Sequence, residues 1–166
     1  MNTTDGPKSD RWLLGTDEAT IDDKGRVLVG KKKRERLGET FALSVGAEGQ
    51  LVAYPMAEWE RMVTEILSYP SIQPGTQLYS RFVLADAEDD IKFDSQGRFV
   101  VPQRLRQIAN LKDKIVLVGL ATRMEIWAKQ EYEEYNAYRD TYRAERVKSI
   151  RSAYDLMTGA KPAEKS

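Results

Sequence analysis

The chain has 166 residues, with 26 basic and 26 acidic side chains, so its overall charge does not by itself indicate a polyanionic partner. It has no cysteine and no histidine, which excludes disulfides, thiol nucleophiles, cysteine zinc sites and histidine general bases. No segment approaches the roughly 18 consecutive apolar residues of a membrane span, and the first residues lack the apolar core of a signal peptide, so we expect a cytoplasmic protein.

The first half of the chain predicts a small module of strands and short helices. Residues 1–10 are polar, and we expect a disordered N-terminal extension over residues 1–12. The module covers residues 13–67, with a strand at Val27-Leu28-Val29, a short basic helix over 31–37 and a helix near 56–67. That last helix carries an apolar stripe typical of a core-facing side, formed by Trp59, Met62, Val63 and Ile66.

A segment rich in turn residues, 68–77, predicts a linker to a second module over residues 78–137. There Pro102 ends strand pairing and suits the first turn of a helix carrying Arg104, Leu105 and Ile108. Residues 138–166 predict a C-terminal helix and a frayed tail. The helical pattern begins at Glu131, and a series of four tyrosines lies along one side of it: Tyr132, Tyr135, Tyr138 and Tyr142. It continues or restarts through an apolar series to a stop at Gly159, and that series is Val147, Ile150, Tyr154 and Leu156.

The two modules share one motif. Asp22-Asp23-Lys24-Gly25-Arg26 in the first half corresponds to Asp94-Ser95-Gln96-Gly97-Arg98 in the second. A β-branched run follows each copy, and then a basic segment that ends at Arg34 or at Arg106. The chain is therefore one module written twice. Because a module of about 60 residues buries too little surface to be stable alone, we expect the two halves to interlock and to oligomerise.

The motif has a physical interpretation and a plainer alternative. An aspartate that opens a turn accepts hydrogen bonds from nearby backbone N–H groups, and glycine supplies the positive φ. The arginine that follows can project its guanidinium toward phosphate oxygens or the O6/N7 edge of guanine. Alternatively, Arg26 and Arg98 form internal salt bridges to Asp22 and Asp94, and the run Lys31–Arg34 is a solvated face.

The chain resembles the MraZ family of bacterial transcriptional regulators. The resemblance rests on the two D-x-x-G-R motifs, with Leu14-Gly15, Tyr54-Pro55, Val100-Val101-Pro102 and Glu125-Ile126-Trp127, and it covers about residues 13–135. It implies an α+β, mainly β fold in which two tandem swapped-hairpin modules, SpoVT/AbrB-like and of double-psi type, form small barrels, with short helices and a C-terminal helix. It also implies ring-like homo-oligomers.

The resemblance further implies binding of double-stranded DNA at short, repeated, G-rich boxes upstream of the division and cell-wall gene cluster, with the protein associated with the nucleoid. The family's DNA-contacting turns carry over onto Asp22, Arg26, Asp94 and Arg98. Beside them, Lys24, Arg34 and Arg106 are candidates for contacts to the DNA backbone. The sequence departs from the family at Gly30, where the family has proline, and we expect the basic helix to begin more loosely there.

Three alternatives stay open. The first is an AbrB-like antitoxin or stress regulator, which the absence of a long toxin-wrapping tail disfavours. The second is an enzyme in which a carboxylate cluster holds a metal, formed by Asp86, Glu88, Asp89, Asp90 and Asp94. Consecutive carboxylates more often form a solvated loop, and no nucleophile or base accompanies them, so we predict no enzyme, no catalytic residue, no metal and no cofactor. The third is a purely structural ring-forming scaffold.

Overall fold

The computed structural model describes residues 12–140 and 143–159. They fall into two compact units that divide between Lys129 and Gln130. The predicted extension at 1–12 lies outside the described residues except for Trp12, and so does the tail after Gly159. No helix within the described ranges is long and apolar enough to cross a membrane.

The first unit contains two similar series of elements. The first copy contains β1 (Leu13–Thr20), β2 (Arg26–Leu28), α1 (Lys31–Leu37), β3 (Thr40–Val45), β4 (Leu51–Pro55) and α2 (Met56–Ser68). The second contains α3 (Pro74–Leu84), β5 (Glu88–Lys92), β6 (Arg98–Val100), α4 (Gln103–Ile108), β7 (Lys114–Ala121) and β8 (Met124–Ala128). The sequence did not predict α3, which begins at Pro74 inside the segment expected to be a linker.

The strands of the two copies interleave, as expected. Six of them form one antiparallel sheet in the order β1-β7-β8-β4-β3-β5, so that strands of the second copy flank and divide those of the first. Strand β1 pairs with β7 from Leu13↔Ala121 to Thr20↔Lys114. The expectation of closed small barrels was wrong in this respect: among the described strands the sheet ends at β1 and β5 and is open.

The remaining two strands, β2 and β6, form a separate antiparallel ribbon. Its inner side joins a core shared by both copies, in which the ring of Phe41 meets the edge of Phe99 with centroids 5.2 Å apart. Burying side chains of this size contributes about 1.5–3 kcal/mol each. The ribbon is therefore fixed to the body of the unit by its own apolar residues.

A smaller core lies under α2 and α3. Trp59 and Ile66 of the predicted stripe are buried there, with Met62 and Val63 packed at its edge, so the interpretation of α2 as a core-facing helix is confirmed. Strand β3 contributes a buried hydroxyl, because Ser44 Oγ donates a 2.6 Å hydrogen bond to the carbonyl of Val83 in α3.

The second unit contains α5 (Lys129–Asp140), apart from its first residue, and α6 (Arg143–Thr158). Helix α6 ends where the sequence predicts, since Gly159 has a φ of +68°. Its residues Ile150, Tyr154 and Leu156 are exposed. In the tyrosine series, Tyr132 is half-buried and Tyr135 is exposed, while the side chains of Tyr138 and Tyr142 lie outside the described residues.

Candidate nucleic-acid interface

Each D-x-x-G-R motif forms the same closed turn. Asp22 Oδ1 accepts hydrogen bonds from the backbone N–H groups of Lys24 (3.0 Å) and Arg26 (2.8 Å). The backbone N–H of Gly25 donates to the carbonyl of Asp22 at 3.0 Å, and Gly25 has a φ of +80°. These bonds all lie within five residues, so the motif by itself specifies the turn.

The second copy repeats this geometry. Asp94 Oδ1 accepts from the backbone N–H groups of Gln96 and Arg98, both at 2.9 Å, and Gly97 has a φ of +79°. The interpretation of both aspartates as turn formers is therefore confirmed.

The arginines form the internal salt bridges of the alternative interpretation and still face solvent. Arg26 Nε donates to Asp22 Oδ2 at 2.6 Å, and Arg98 Nε donates to Asp94 Oδ2 at 2.9 Å. The Arg26 and Arg98 side chains remain 31% and 28% exposed. Among the described residues neither side chain has another hydrogen-bond partner, so the terminal amino groups of both guanidiniums are available for a ligand.

Both motif aspartates have a lowered pKa. For Asp22 the largest cause is the hydrogen bond from the backbone N–H of Arg26; desolvation opposes it, and the Arg26 guanidinium lowers the pKa further. For Asp94 the backbone N–H of Arg98 has the same leading role. The carboxylates therefore stay ionised near neutral pH and hold each guanidinium by its Nε atom.

The pairing of β2 with β6 brings the two arginines onto one surface. Arg26 pairs with Val100, Val27 with Phe99, and Leu28 with Arg98. Paired residues share a face and successive residues alternate. Val27 and Phe99 therefore occupy the buried face, and the opposite face is formed by Arg26, Leu28, Arg98 and Val100, which we call the ribbon face.

The ribbon face combines two cations with two exposed apolar side chains. Leu28 is 59% exposed and Val100 is 52% exposed. Arg26 and Arg98 are diagonal neighbours across the pair, a relation that corresponds to about 7–8 Å between Cα atoms. Sequence reasoning missed Leu28 and Val100, although the alternation in Arg26-Val27-Leu28 and in Arg98-Phe99-Val100 was the signal that could have found them.

The other predicted cations lie at the turns in two different ways. Lys24 is an exposed residue of the first turn itself. Arg34, from α1, lies against Gly97 of the second turn, and Arg106, from α4, lies against Gly25 of the first. The structure thus groups the seven predicted residues into two sets, one at each turn.

The basic run before Arg34 is not a uniform solvated face. Lys31 and Lys32 are exposed, but Lys33 is buried and its Nζ contacts Asp17 Oδ2 at 2.5 Å. In the second copy the corresponding position is Leu105, which is buried in the core. Lys33 therefore occupies an apolar position of the repeat and is neutralised by an edge-strand carboxylate.

The acidic segment engages separate basic partners instead of converging on one point. Asp86 Oδ1 accepts from Arg104 Nε at 3.1 Å, and Asp90 Oδ1 lies 3.5 Å from Lys92 Nζ. Within residues 12–140 and 143–159 no group of three or more carboxylates is placed to hold a metal ion. This geometry gives no support to the carboxylate-enzyme alternative.

Comparison with known proteins agrees with the repeat. The family model described as "MraZ protein, putative antitoxin-like" matches residues 12–82 and 84–148. A Caldanaerobacter subterraneus protein named "Transcriptional regulator MraZ" is 38% identical over 128 residues, which cover 77% of this chain and 89% of that protein. A Clostridium tetani protein of the same name is 39% identical over 124 residues, covering 75% of this chain and 87% of the relative. The chain therefore belongs to the MraZ family of transcriptional regulators and is not an enzyme.

Proposed function

We propose that this protein is a sequence-specific DNA-binding regulator that binds repeated short G-rich boxes upstream of the division and cell-wall gene cluster. In this proposal it does so through its two D-x-x-G-R turns, as a ring-shaped homo-oligomer associated with the nucleoid. The names of its relatives support a regulatory role. The observation that carries the proposal is the ribbon face, where two arginines lie on one exposed side of a two-stranded antiparallel ribbon.

The geometry of the ribbon face suits the major groove of DNA. The groove is about 12 Å wide and admits a two-stranded β-ribbon. Because Nε of Arg26 and of Arg98 is bonded to an aspartate, each guanidinium plane is fixed while its terminal N–H groups remain available. Such a fixed pair of N–H donors suits bidentate contact with guanine O6 and N7, and this supports the proposed binding of G-rich boxes.

The neighbouring side chains have complementary roles. Leu28 and Val100, between the arginines, are suited to contact the methyl group of thymine. Lys24 on the first turn is suited to a phosphate contact, which adds affinity without sequence information. A single ribbon offers few contacts, so repeated boxes and a ring of subunits would add avidity wherever the spacing of boxes matches that of ribbons.

The test uses a labelled duplex that carries the DNA upstream of the chain's own gene. Arg26→Ala and Arg98→Ala should each weaken binding by about 1–3 kcal/mol, a loss of about 5- to 150-fold. Lys32→Ala is the matched control, since it removes an exposed cation of the same basic run outside the turns, and it should change affinity about twofold or less. Fluorescence anisotropy at two salt concentrations measures these effects.

Two outcomes would contradict the proposal. If the Arg26→Ala/Arg98→Ala double variant binds the duplex as tightly as the unchanged protein, the turns do not bind DNA. If Lys32→Ala has the largest effect, the basic run is the recognition element. Light scattering tests the ring separately, because the mass should be a multiple of 18.9 kDa and well above a dimer.

A further inference from the structure

An arginine from the middle of each basic helix, Arg34 of α1 and Arg106 of α4, reaches across to the other copy. Arg34 belongs to the first copy, yet its guanidinium lies over Gly97 in the turn of the second. Arg106 belongs to the second copy, and its Cζ and Nε atoms lie 3.0 Å from where a Cβ would stand on Gly25 in the turn of the first. Each D-x-x-G-R turn is thus covered by a side chain from the other copy.

Backbone hydrogen bonds follow the same crossed pattern. The N–H of Val101 donates to the carbonyl of Gly25 at 2.8 Å, and the N–H of Val29 donates to the carbonyl of Gly97 at 3.2 Å. Each turn glycine therefore has its carbonyl bonded to the strand end of the other copy and its Cα face covered by the other copy's arginine. Glycine is needed for this packing as well as for the positive φ.

The packing around Arg106 is close enough to exclude water. Its Nε atom is buried and has no hydrogen-bond partner among the described residues. A donor withdrawn from water without a partner is unfavourable, so the contact with Gly25 must be held by the surrounding structure. A phosphate oxygen cannot reach that nitrogen, which favours a structural use of this part of the guanidinium.

We infer that Arg34 and Arg106 are positioning residues, each of which fixes the DNA-reading turn of the opposite copy. This inference rests on the proposed function, and it replaces contact with the DNA backbone as the main role of these two residues. Its consequence is that each turn depends on the helix of the opposite copy: a change in α1 displaces Arg98, and a change in α4 displaces Arg26. A planar guanidinium covers a glycine face in a way that a lysine ammonium does not.

The first experiment needs no DNA. In Arg34→Met, the backbone amide resonances of Gln96 and Arg98 should shift while those of Lys24 and Arg26 stay in place. In Arg106→Met the pattern should reverse. Arg34→Lys and Arg106→Lys keep the aliphatic part of the side chain and its charge, and they should give the same crossed shifts. They replace the methionine variants in this test if those variants do not fold. Shifts confined to the turn of the mutated copy would overturn the inference.

The second experiment separates positioning from phosphate contact on the upstream duplex. If Arg34 acts through Arg98, Arg34→Met should weaken binding, Arg34→Lys should not restore it, and the Arg34→Met/Arg98→Ala pair should bind no more weakly than Arg98→Ala alone. If Arg34 instead contacts a phosphate, Arg34→Lys restores affinity, the two losses add, and the salt slope falls by about one in Arg34→Met. That result would overturn the inference and leave the DNA proposal intact.

The two proposals can also fail separately. If the crossed amide shifts are absent but Arg26→Ala and Arg98→Ala still weaken DNA binding, only the positioning role is wrong. If the crossed shifts are present but the Arg26→Ala/Arg98→Ala double variant binds DNA as tightly as the unchanged protein, the DNA-binding role of the turns is wrong. The dependence of each turn on the arginine of the opposite copy then stands.

Discussion

Replacing Gly30 with proline should stabilise the protein. Gly30 precedes α1 with φ −59° and ψ 147°, and the equivalent residue before α4 is Pro102, with φ −55° and ψ 143°. A proline ring fixes φ near −65°, so the backbone at Gly30 already has the conformation that proline requires. Nothing lies within 4 Å of the position that a Cβ would occupy on Gly30.

The hydrogen bonding at this position also tolerates proline. The carbonyl of Gly30 accepts from the N–H of Arg34 at 3.0 Å, as the carbonyl of Pro102 accepts from Arg106 at 3.0 Å, and the substitution leaves this acceptor in place. Among the described residues the N–H of Gly30 has no backbone acceptor, so removing it loses no bond. The gain comes from the unfolded chain, which has fewer conformations to lose when proline replaces glycine.

The expected gain is about 0.4–1 kcal/mol, which for a chain of this size raises Tm by about 1–4 °C. Thermal unfolding at one fixed protein concentration measures it, because oligomerisation makes Tm depend on concentration. Pro102→Gly is the matched control and should lower Tm by a similar amount, while Gly30→Ala should not lower it. A Gly30→Pro protein less stable than the unchanged one would refute the reasoning.

Three further predictions concern the turn, the buried lysine and the small core. The Asp22 carboxylate stabilises the turn above its ordinary pKa of 3.8, and this contribution is lost only as the pH falls through the lower folded pKa. Arg26→Ala removes the guanidinium but keeps the backbone N–H, which is the largest cause of the lowered Asp22 pKa. An NMR titration of this variant should therefore still give an Asp22 pKa below 3.8, and a value of 3.8 would show that the guanidinium causes the shift. Asp17→Ala leaves the Lys33 ammonium buried without an anion, so it should lower the free energy of unfolding, measured by urea denaturation, by about 1–3 kcal/mol. Lys33→Leu should lower it by less, and a larger loss in Lys33→Leu than in Asp17→Ala would contradict the pairing. Ser44→Ala should cost about 1–2 kcal/mol in the same assay, because a buried carbonyl of α3 loses its donor; no measurable loss would show that this bond does not hold α3.

Several features followed from the sequence because they depend on near neighbours. The turns need only an aspartate, a glycine and backbone N–H groups within five residues, so the motif sequence alone is enough to specify their geometry. The basic helix over 31–37 and the helix near 56–67 were predicted to within a residue. The apolar stripe of the second helix is a local signal, because its residues lie within two turns of one another. The family resemblance, carried by the same motifs, was confirmed.

Other features depend on partners that are distant along the chain. The sequence left open whether Arg26 is bonded inside the protein or free, and the structure combines the two because a guanidinium has more donors than one carboxylate accepts. The burial of Lys33 could not be predicted from a run of basic residues, because Lys33 in α1 is paired with Asp17 in β1. Helix α3 was missed because turn-forming residues precede it. It is attached to the rest of the unit by a long-range contact, the hydrogen bond from Ser44 Oγ to the carbonyl of Val83.

The sequence by itself determined the repeat and the two turns, because these depend on residue identity and on contacts within a few residues. Only the tertiary structure decided that β2 pairs with β6, which places Arg26 and Arg98 on one face, and that Arg34 and Arg106 cover the turns of the opposite copies. Pairing between strands so far apart is set by the apolar core that Val27 and Phe99 share, and short-range patterns do not specify which strand completes that core.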